Sequence, residues 1–527
     1  MKKAVGIFTL FCLCSFFTIA QRMSKPDIRK LEDADIDFEI GDYKSALEAY
    51  SSLLERNSEL ELDFRIGVCY FNLRRHQEAL PYFEKAKDKG EIEAYYYLGK
   101  TYHLEGRLDE EILLFQTYKN HENEIEQPIE EVRRLLDQAK LAKEMIDNPV
   151  NVDITNIGGP INTEYHEYVP LVYGVEEELY FTSRRPGSTG ELLDQRGEHF
   201  EDVYVSKLEH GNWKEPVQLG SQINTPTHDA CVGISSDGQV LYIFRTSEDL
   251  VHGDLYQSEM GLDGWEKLNK LSSDINSEYI ETSASISSDD RIIYFSSNRE
   301  GGFGGMDIYR SVKLPTGEWS KSQNLGPTIN TAYDEDCPFI HADNKTLYFS
   351  SKGHKSMGGY DIFKSELRAD GLWTEPLNLG YPINSVTHDL SFVMSSDKQT
   401  GYYSSAQEGG IGGLDIYKIN FKLQAQILSV VKGGVASNDT SHVPVEAKIT
   451  LINAQTKTIQ GIYKSSHKNG RFIMLISPET SYDVIVEAEG YHTFSKNIFF
   501  DATVGFGSII EEFKLVPLDL VITEINE

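Results

Sequence analysis

The chain has 527 residues, enough for roughly three to four domains. Hydrophobic residues make up 40% and charged residues 25%, which is ordinary globular composition and excludes a disordered chain. Fifty basic side chains against 82 acidic ones leave a net charge of −32, which argues against nucleic-acid binding and against docking on anionic lipid through a polybasic patch.

Residues 1–20 read as a secretory signal peptide. Lys2 and Lys3 precede an apolar run from Val5 to Ile19, and Thr18-Ile19-Ala20 forms a small-residue cleavage site before Gln21. Removing two lysines and no acid brings the expected mature charge to −34. Lipidation at Cys12 or Cys14 would need a small-residue box, but Phe11 and Leu13 stand there. No other stretch is long and apolar enough for a spanning helix. Cys69, Cys231 and Cys337 remain after the leader, an odd number that points away from a disulfide framework.

Residues 25–148 read as helical repeats. Ala46, Ala79 and Glu111 stand at matching places, spaced 33 and 32, and Tyr50, Phe83 and Phe115 follow the same spacing. Gly67 pairs with Gly99 and Tyr70 with Tyr102, each at 32. Small residues at fixed offsets let two helices approach closely, and aromatics fill the space between hairpins. The pattern, in segments such as Gly41-Asp42-Tyr43-Lys44-Ser45-Ala46-Leu47, resembles the tetratricopeptide repeat. Glu111 departs from it, since a small residue is expected there. A further helix opens at Pro128, shows one apolar face through Ile129, Val132, Leu136, Ala139 and Met145, and stops at Asn148-Pro149. It is expected to cap an all-α solenoid whose concave face holds a peptide or partner helix. The alternative is a spacer with no ligand of its own.

Residues 150–421 carry a longer repeat. Trp213, Trp265, Trp319 and Trp373 are spaced 52, 54 and 54. An Asn recurs at 162, 224, 276, 330 and 384, a strand-ending Tyr at 180, 242, 294, 348 and 402, and an Asp at 202, 254, 307, 361 and 415. Turn signals such as Ser235-Ser236-Asp237-Gly238 precede most of the Tyr strands. Each unit reads as four short strands, so the region reads as a β-propeller. The last copy lacks its outer strand. The segment Asn151 to Gly158 ends in Asn-Ile-Gly and matches Asn324-Leu325-Gly326 and Asn378-Leu379-Gly380, so it is expected to supply that strand. Five blades then close on one another; a sixth, degenerate blade is the alternative. The copies, clearest from Tyr294-Phe295-Ser296-Ser297-Asn298-Arg299-Glu300-Gly301-Gly302 to Asp307-Ile308-Tyr309, resemble the WD40-like propeller repeats of bacterial envelope proteins.

Two features of this region are candidate sites. Thirteen residues before each marker Tyr stands an acid: Glu167, Asp229, Glu281, Glu335 and Asp389. Five carboxylates near a channel mouth would suit Ca²⁺ or a basic peptide; the structural alternative is that each bonds the neighbouring blade. The first copy is also longer, with 22 residues from Tyr180 to Asp202 against 12 or 13 elsewhere. Its extra residues, with Arg184, Arg185, Asp194, Arg196 and His199, make a candidate partner loop; a neutral insertion is the alternative. Cys231 and Cys337 fall in non-adjacent blades and read as small buried hydrophobes.

Residues 425–517 alternate as strands, as in Pro444 to Leu451 and Tyr482 to Ala488, with a turn at Asn469-Gly470. This segment resembles the carboxypeptidase regulatory-like fold, an all-β transthyretin-like sandwich without protease chemistry. Residues 518–527 read as a tail. No H-E-x-x-H, G-x-S-x-G, P-loop or zinc spacing appears, and the Gly-rich stretches 301–305 and 409–413 recur with the blades as turns. His228 and His388 precede the acid column as part of the repeat. No enzyme activity and no obligate cofactor are expected.

In that order, the three regions resemble a family of Bacteroidota envelope proteins, OmpA-family and PorE-like, associated with type IX secretion and gliding. The resemblance implies a scaffold in the periplasm, peripheral at the outer membrane, that binds envelope proteins such as an outer-membrane barrel of the PorP/SprF type. The OmpA-like domain of those relatives does not follow here, so no direct peptidoglycan binding is expected. The competing reading is a propeller that binds a ligand or glycan, with Ca²⁺ or with hydrolysis.

Overall fold

The computed structural model describes residues 23–172, 178–194, 196–421, 429–440, 442–477, 480–500 and 509–518. The expected leader, residues 1–20, lies outside them, as does the tail after Leu518. The chain divides into two compact units, 1–144 and 145–527. Among the described residues no helix is long and apolar enough to cross a membrane.

The first unit is built of antiparallel helices: α1 (Lys25–Glu39), α2 (Tyr43–Arg56), α3 (Asp63–Asn72), α4 (His76–Asp88), α5 (Glu93–Leu104), α6 (Leu108–Lys119) and α7 (Ile129–Asp147). Local signals start them. The Ser24 hydroxyl accepts from the Asp27 amide ahead of α1, and Asp42 accepts from the Ser45 amide at 3.1 Å ahead of α2. Packing then holds them. A Cβ on Gly67 would lie 2.7 Å from the Phe83 ring, and one on Gly99 would lie 2.8 Å from the Phe115 ring. Only glycine lets α3 meet α4, and α5 meet α6, at that separation. Ala46, Tyr50, Ala79, Phe83 and Phe115 are fully buried. Glu111 is buried too, and the third hairpin accommodates it by pairing its carboxylate with His103, 2.9 Å away.

The second unit is all-β after the end of α7. Five antiparallel sheets follow one another, each running from an inner strand outward. The inner strands are Glu167–Val172, Asp229–Ile234, Glu281–Ile286, Glu335–Ile340 and Asp389–Met394. Each touches the next, and the fifth touches the first, so the sheets form a closed ring that resembles a propeller. The fifth sheet is completed by Val152–Asn156, which pairs antiparallel with Asp415–Phe421. The first strand of the region thus completes the last blade.

The recurring columns hold the ring together. The side chain of each repeated Asn both accepts from and donates to the backbone of one residue in the preceding blade. The partners of Asn162, Asn224, Asn276, Asn330 and Asn384 are Ile416, Val203, Leu255, Ile308 and Ile362, all at 2.7–3.0 Å. Tryptophans pack across blades: Trp265 lies 5.8 Å from Tyr180 and Trp373 lies 6.2 Å from Tyr294.

Beyond the ring, Ser429–Ser437 lies between Arg471–Ile476 and Ile509–Leu515 in one sheet. Ile459–Lys464, Lys448–Asn453, Thr480–Glu487 and Phe494–Phe500 form the other. Both sheets contribute to one core that includes Val431, Ile449, Leu451, Met474 and Val484. Lys468 of this domain pairs with Glu259 of the second blade at 2.6 Å.

Candidate functional site

The inner strands enclose a channel, and each is irregular within its first five residues. Its pairing with the second strand slips between Tyr168 and Leu171, Cys231 and Gly233, Glu281 and Ser283, Asp336 and Phe339, and Leu390 and Val393. Bulges of this kind turn backbone groups out of their own ladder. Val169, Cys337 and Ser391 stand there at φ of 52°, 51° and 55°. That is a costly conformation for a β-branched valine. The freed amides reach hydroxyls of the neighbouring blade: Val169 N to Ser404, Cys231 N to Thr182 and Cys337 N to Ser283, each at 3.1 Å. The bulges therefore join blade to blade around the channel.

A cavity of about 170 Å³ runs between the inner strands of all five blades. Its wall is mostly apolar, with Val232, Ala284, Ile286, Phe339 and Val393 among the lining side chains. Ile473 of the C-terminal domain joins the wall. The neighbouring residues Lys464 to Lys468 lie beside Asp237 and Asp290, in the turns that follow two inner strands. The C-terminal domain therefore covers that end of the channel. At the other end Asp336 accepts from the Thr282 and Ser283 hydroxyls at 2.9 and 2.5 Å. Asp336 does not recur from blade to blade, so no repeated column marks it in the sequence.

The five recurring acids are placed differently from the sequence expectation. None opens onto the channel: Glu167, Asp229, Glu281, Glu335 and Asp389 all have zero exposure. Their carboxylates do not bond the neighbouring blade; the backbone amides of Glu167, Asp229, Glu335 and Asp389 do, donating to the carbonyls of Leu414, Glu201, Met306 and Tyr360 at 2.7, 3.0, 2.8 and 2.8 Å. Each carboxylate accepts the amide and hydroxyl of the Thr or Ser four residues earlier, in the connector that enters its blade. For Glu281 these are Ser277 N at 3.0 Å and Ser277 Oγ at 2.7 Å; for Glu335, Thr331 at 2.6 and 2.7 Å. The same carboxylates reach the second strand of their own blade, Glu281 to Ser297 at 2.8 Å and Glu335 to Ser351 at 2.6 Å. Glu167 bonds Thr163 and Ser183, Asp229 bonds Thr225 and Arg245, and Asp389 bonds Ser385 and Ser405. Burial pushes the Asp229 and Glu335 carboxyls up, and that of Asp389 to about 7. With the Asn beside it holding the preceding blade, each acid completes a two-sided lock on the connector. Among the described residues no group of three or more His, Cys, Asp or Glu converges as a metal ion requires.

The insert of the first blade also departs from the sequence expectation. Arg184 faces inward, to Asp194 at 3.3 Å, to Glu201 at 3.6 Å and to Glu198. Arg185 donates to the Ile161 carbonyl at 2.6 Å and to Ser183 at 2.9 Å, and lies 5.0 Å from the Tyr204 ring centre. Both arginines are spent inside the blade; Arg196 is exposed. Glu201 takes the Tyr168 hydroxyl at 2.6 Å and lies 2.6 Å from His228 Nδ1. Burial works to raise its carboxyl, but the His228 hydrogen bond and the Arg184 charge outweigh it and hold the group below its ordinary range. Beside Glu191 and Arg196, the insert presents Leu192 and Leu193 outward, 47% and 54% exposed. The sequence signal for them is two adjacent leucines between Gly190 and Gly197, set among charged residues.

Cys69 and Cys231 are buried, and Cys337 half-buried; all three are free thiols. Burial pushes the Cys69 and Cys231 thiols up to about 12, consistent with inert packing.

Residues 31–91 match the family model for the tetratricopeptide repeat. No curated protein matches the chain. Among solved structures, TolB from Acinetobacter baumannii is 13% identical at a TM-score of 0.32, over 56% of this chain and 72% of that one. An alpha-L-arabinofuranosidase from Lactobacillus brevis is 11% identical at 0.33, over 50% and 91%. The WD40 repeats of RRP9 are 10% identical at 0.29, over 52% and 99%. The family match places tetratricopeptide repeats in the first helical hairpins.

Proposed function

We propose that the chain is a non-enzymatic scaffold of the bacterial cell envelope. Its helical repeats bind other proteins, and the ring, read as a five-bladed propeller, with the C-terminal domain, read as a transthyretin-like sandwich, forms its rigid body. The observation that carries the reading is the array of packed helical hairpins whose first members match the tetratricopeptide repeat. Such arrays are protein-binding surfaces in general. The leader-like residues 1–20 and the resemblance to Bacteroidota envelope proteins support an exported, periplasmic protein peripheral at the outer membrane. They also support a partner of the PorP/SprF barrel type within a type IX secretion or gliding machine. The test is a pull-down of the C-terminally tagged chain from native envelope in mild detergent. A stoichiometric outer-membrane barrel or secretion component is expected. Recovery of the chain alone across several detergents would refute the reading.

A second reading, ligand binding by the ring, is favoured by one observation: the apolar channel, covered at one end by the domain that contributes Ile473. Its test is Ala284→Phe, which fills the channel. A loss of small-ligand binding without loss of fold would support it.

A further inference from the structure

The channel wall carries a charge that the ring does not pair. The second residue of each inner strand stands at the end away from the C-terminal domain, and in blade order these are Tyr168, Ala230, Thr282, Asp336 and Leu390. The fourth blade alone puts a carboxylate there. Asp336 Oδ1 accepts from the Thr282 hydroxyl at 2.9 Å, the Ser283 hydroxyl at 2.5 Å and the Cys337 amide at 2.7 Å. Thr282, Ser283 and Cys337 all line the cavity, so the carboxylate lies at its wall. Among the described residues Oδ2 takes no hydrogen bond, and no Lys, Arg or His nitrogen comes within 4 Å of the group. Lys352 of the same blade is held by Asp334 at 2.7 Å, and Arg184 by the carboxylates of its insert. Hydroxyls along the cavity are engaged with the wall itself. Ser285 accepts from the Ile340 amide at 3.1 Å, Ser288 donates to the Ala342 carbonyl at 3.1 Å, and Ser391 donates to Cys337 Sγ at 3.3 Å. The cavity therefore combines an apolar wall, a cover at one end and an unpaired negative charge near the other.

We propose that the channel takes an organic ammonium: its apolar body lies between the inner strands and its charged nitrogen pairs with Asp336. The proposal rests on the ligand-binding reading of the ring above and names the chemistry of the ligand. A carboxylate beside an apolar cavity gains more from a counter-ion than one in open water does. The wall gives the body of the ligand apolar area to bury. A bare metal ion would need several oxygen ligands and would leave that area uncovered. A sugar would bring its hydroxyls to a wall whose own are already engaged. A neutral apolar ligand would leave the Asp336 charge as it is. The ammonium belongs either to a free amine or to the amino terminus of a chain with apolar first residues, and the test separates the two.

The full chain is titrated by calorimetry at pH 7 with n-octylammonium, n-octanol and octanoate. One equivalent of octylammonium should bind about tenfold more tightly than octanol, which corresponds to about 1.4 kcal/mol. Octanoate should bind most weakly. Salt should weaken the ammonium and leave the alcohol unchanged. Asp336→Asn keeps an oxygen to accept from Thr282 and Ser283, so its far-UV circular dichroism melt should match the parent, and it should bind octylammonium no better than octanol. Ala284→Phe should abolish binding of all three. A heptapeptide that opens with two leucines is titrated with its amino terminus free and acetylated. Tighter binding of the free form assigns a chain terminus; binding of octylammonium but of neither peptide assigns a free amine. Equal affinity for the three octyl compounds would overturn the ammonium assignment, as would an unchanged affinity in Asp336→Asn. If Ala284→Phe still abolishes binding in those cases, the ligand-binding reading of the ring survives. Several weak equivalents of octylammonium, insensitive to both substitutions, would place binding on the acidic surface and overturn both. Binding of no probe would also overturn both.

Discussion

His103 Nδ1 lies 2.9 and 3.0 Å from the two carboxylate oxygens of Glu111, in the positions that Phe71 and Ala79 hold one hairpin earlier. A large apolar residue beside a small one has become a buried polar pair. Burial raises the Glu111 carboxyl, and His103 Nε2 is buried without a partner. Breaking such a pair leaves an uncompensated polar group, whereas replacing both members with apolar residues is often neutral or stabilising. Glu111→Ala alone should therefore cost about 3 kcal/mol, while His103→Phe with Glu111→Ala should be at least as stable as the parent. Urea unfolding followed by far-UV circular dichroism checks this. A double variant as unstable as the single one would show that the pair is not exchangeable.

The Asn330 side chain holds both backbone groups of Ile308 and also donates to Asn324 at 2.8 Å, while 2% exposed. In Asn330→Ala the amide and carbonyl of Ile308 lose their partners inside the ring. A loss of about 2–3 kcal/mol is expected. Asn330→Asp should also destabilise, because an aspartate accepts from the amide but cannot donate to the carbonyl. The midpoint of the β-unit transition in urea reports both.

Glu281 accepts from Ser277, Ser297 and Arg299, the last at 2.9 Å. Its place in the connector predicts that Glu281→Gln combined with Glu335→Gln lowers the unfolding free energy of the ring by several kcal/mol in total, and with it the unfolding midpoint. Adding millimolar Ca²⁺ to the parent should leave that midpoint unchanged. A Ca²⁺-dependent rise in the parent, absent from the double variant, would instead make the acids a metal site.

Burial pushes Asp389 up to about 7, against the hydrogen bonds of Ser405 and Ser385 that lower it, and pushes Asp361 to about the same value. Each carboxyl holds its proton more tightly in the folded chain than in the unfolded one. The stability this contributes is fully present below about pH 4 and is lost as pH rises through about 7, at up to about 1.4 kcal/mol per pH unit for each group. Asp389→Asn removes one of the two. Between pH 5 and 7 its unfolding free energy should fall less steeply with pH than that of the parent. Parallel slopes would show that Asp389 does not bind its proton more tightly on folding.

Much of the β-unit was legible in the sequence because each repeated column performs one local task. The Asn that holds the preceding blade, the acid that takes the connector five residues later and the Tyr buried in the second strand recur at fixed spacing. Their hydrogen bonds span fixed numbers of residues. The Asn-Ile-Gly remnant before the first copy carried enough of the pattern to place Val152–Asn156 on the last blade. The candidate sites were less legible. That an acid recurs says nothing of which way it points. The Thr or Ser four residues before each acid was in plain view, but its role as the acid's donor shows only in three dimensions. Arg184 and Arg185 looked available for a partner because their acceptors, Asp194, Glu198 and Glu201 for one and the Ile161 carbonyl for the other, are gathered by the folded blade.

The sequence by itself determined the helical hairpins, the strand repeat and its shared closing strand, because periodic packing and short-range hydrogen bonds are written as periodic residues. Tertiary structure alone decided that the five acids lock connectors, that Glu111 is met by His103 and that Ile473 covers the channel. Each of these depends on which distant side chains reach the same few ångströms, and no spacing along the chain encodes that.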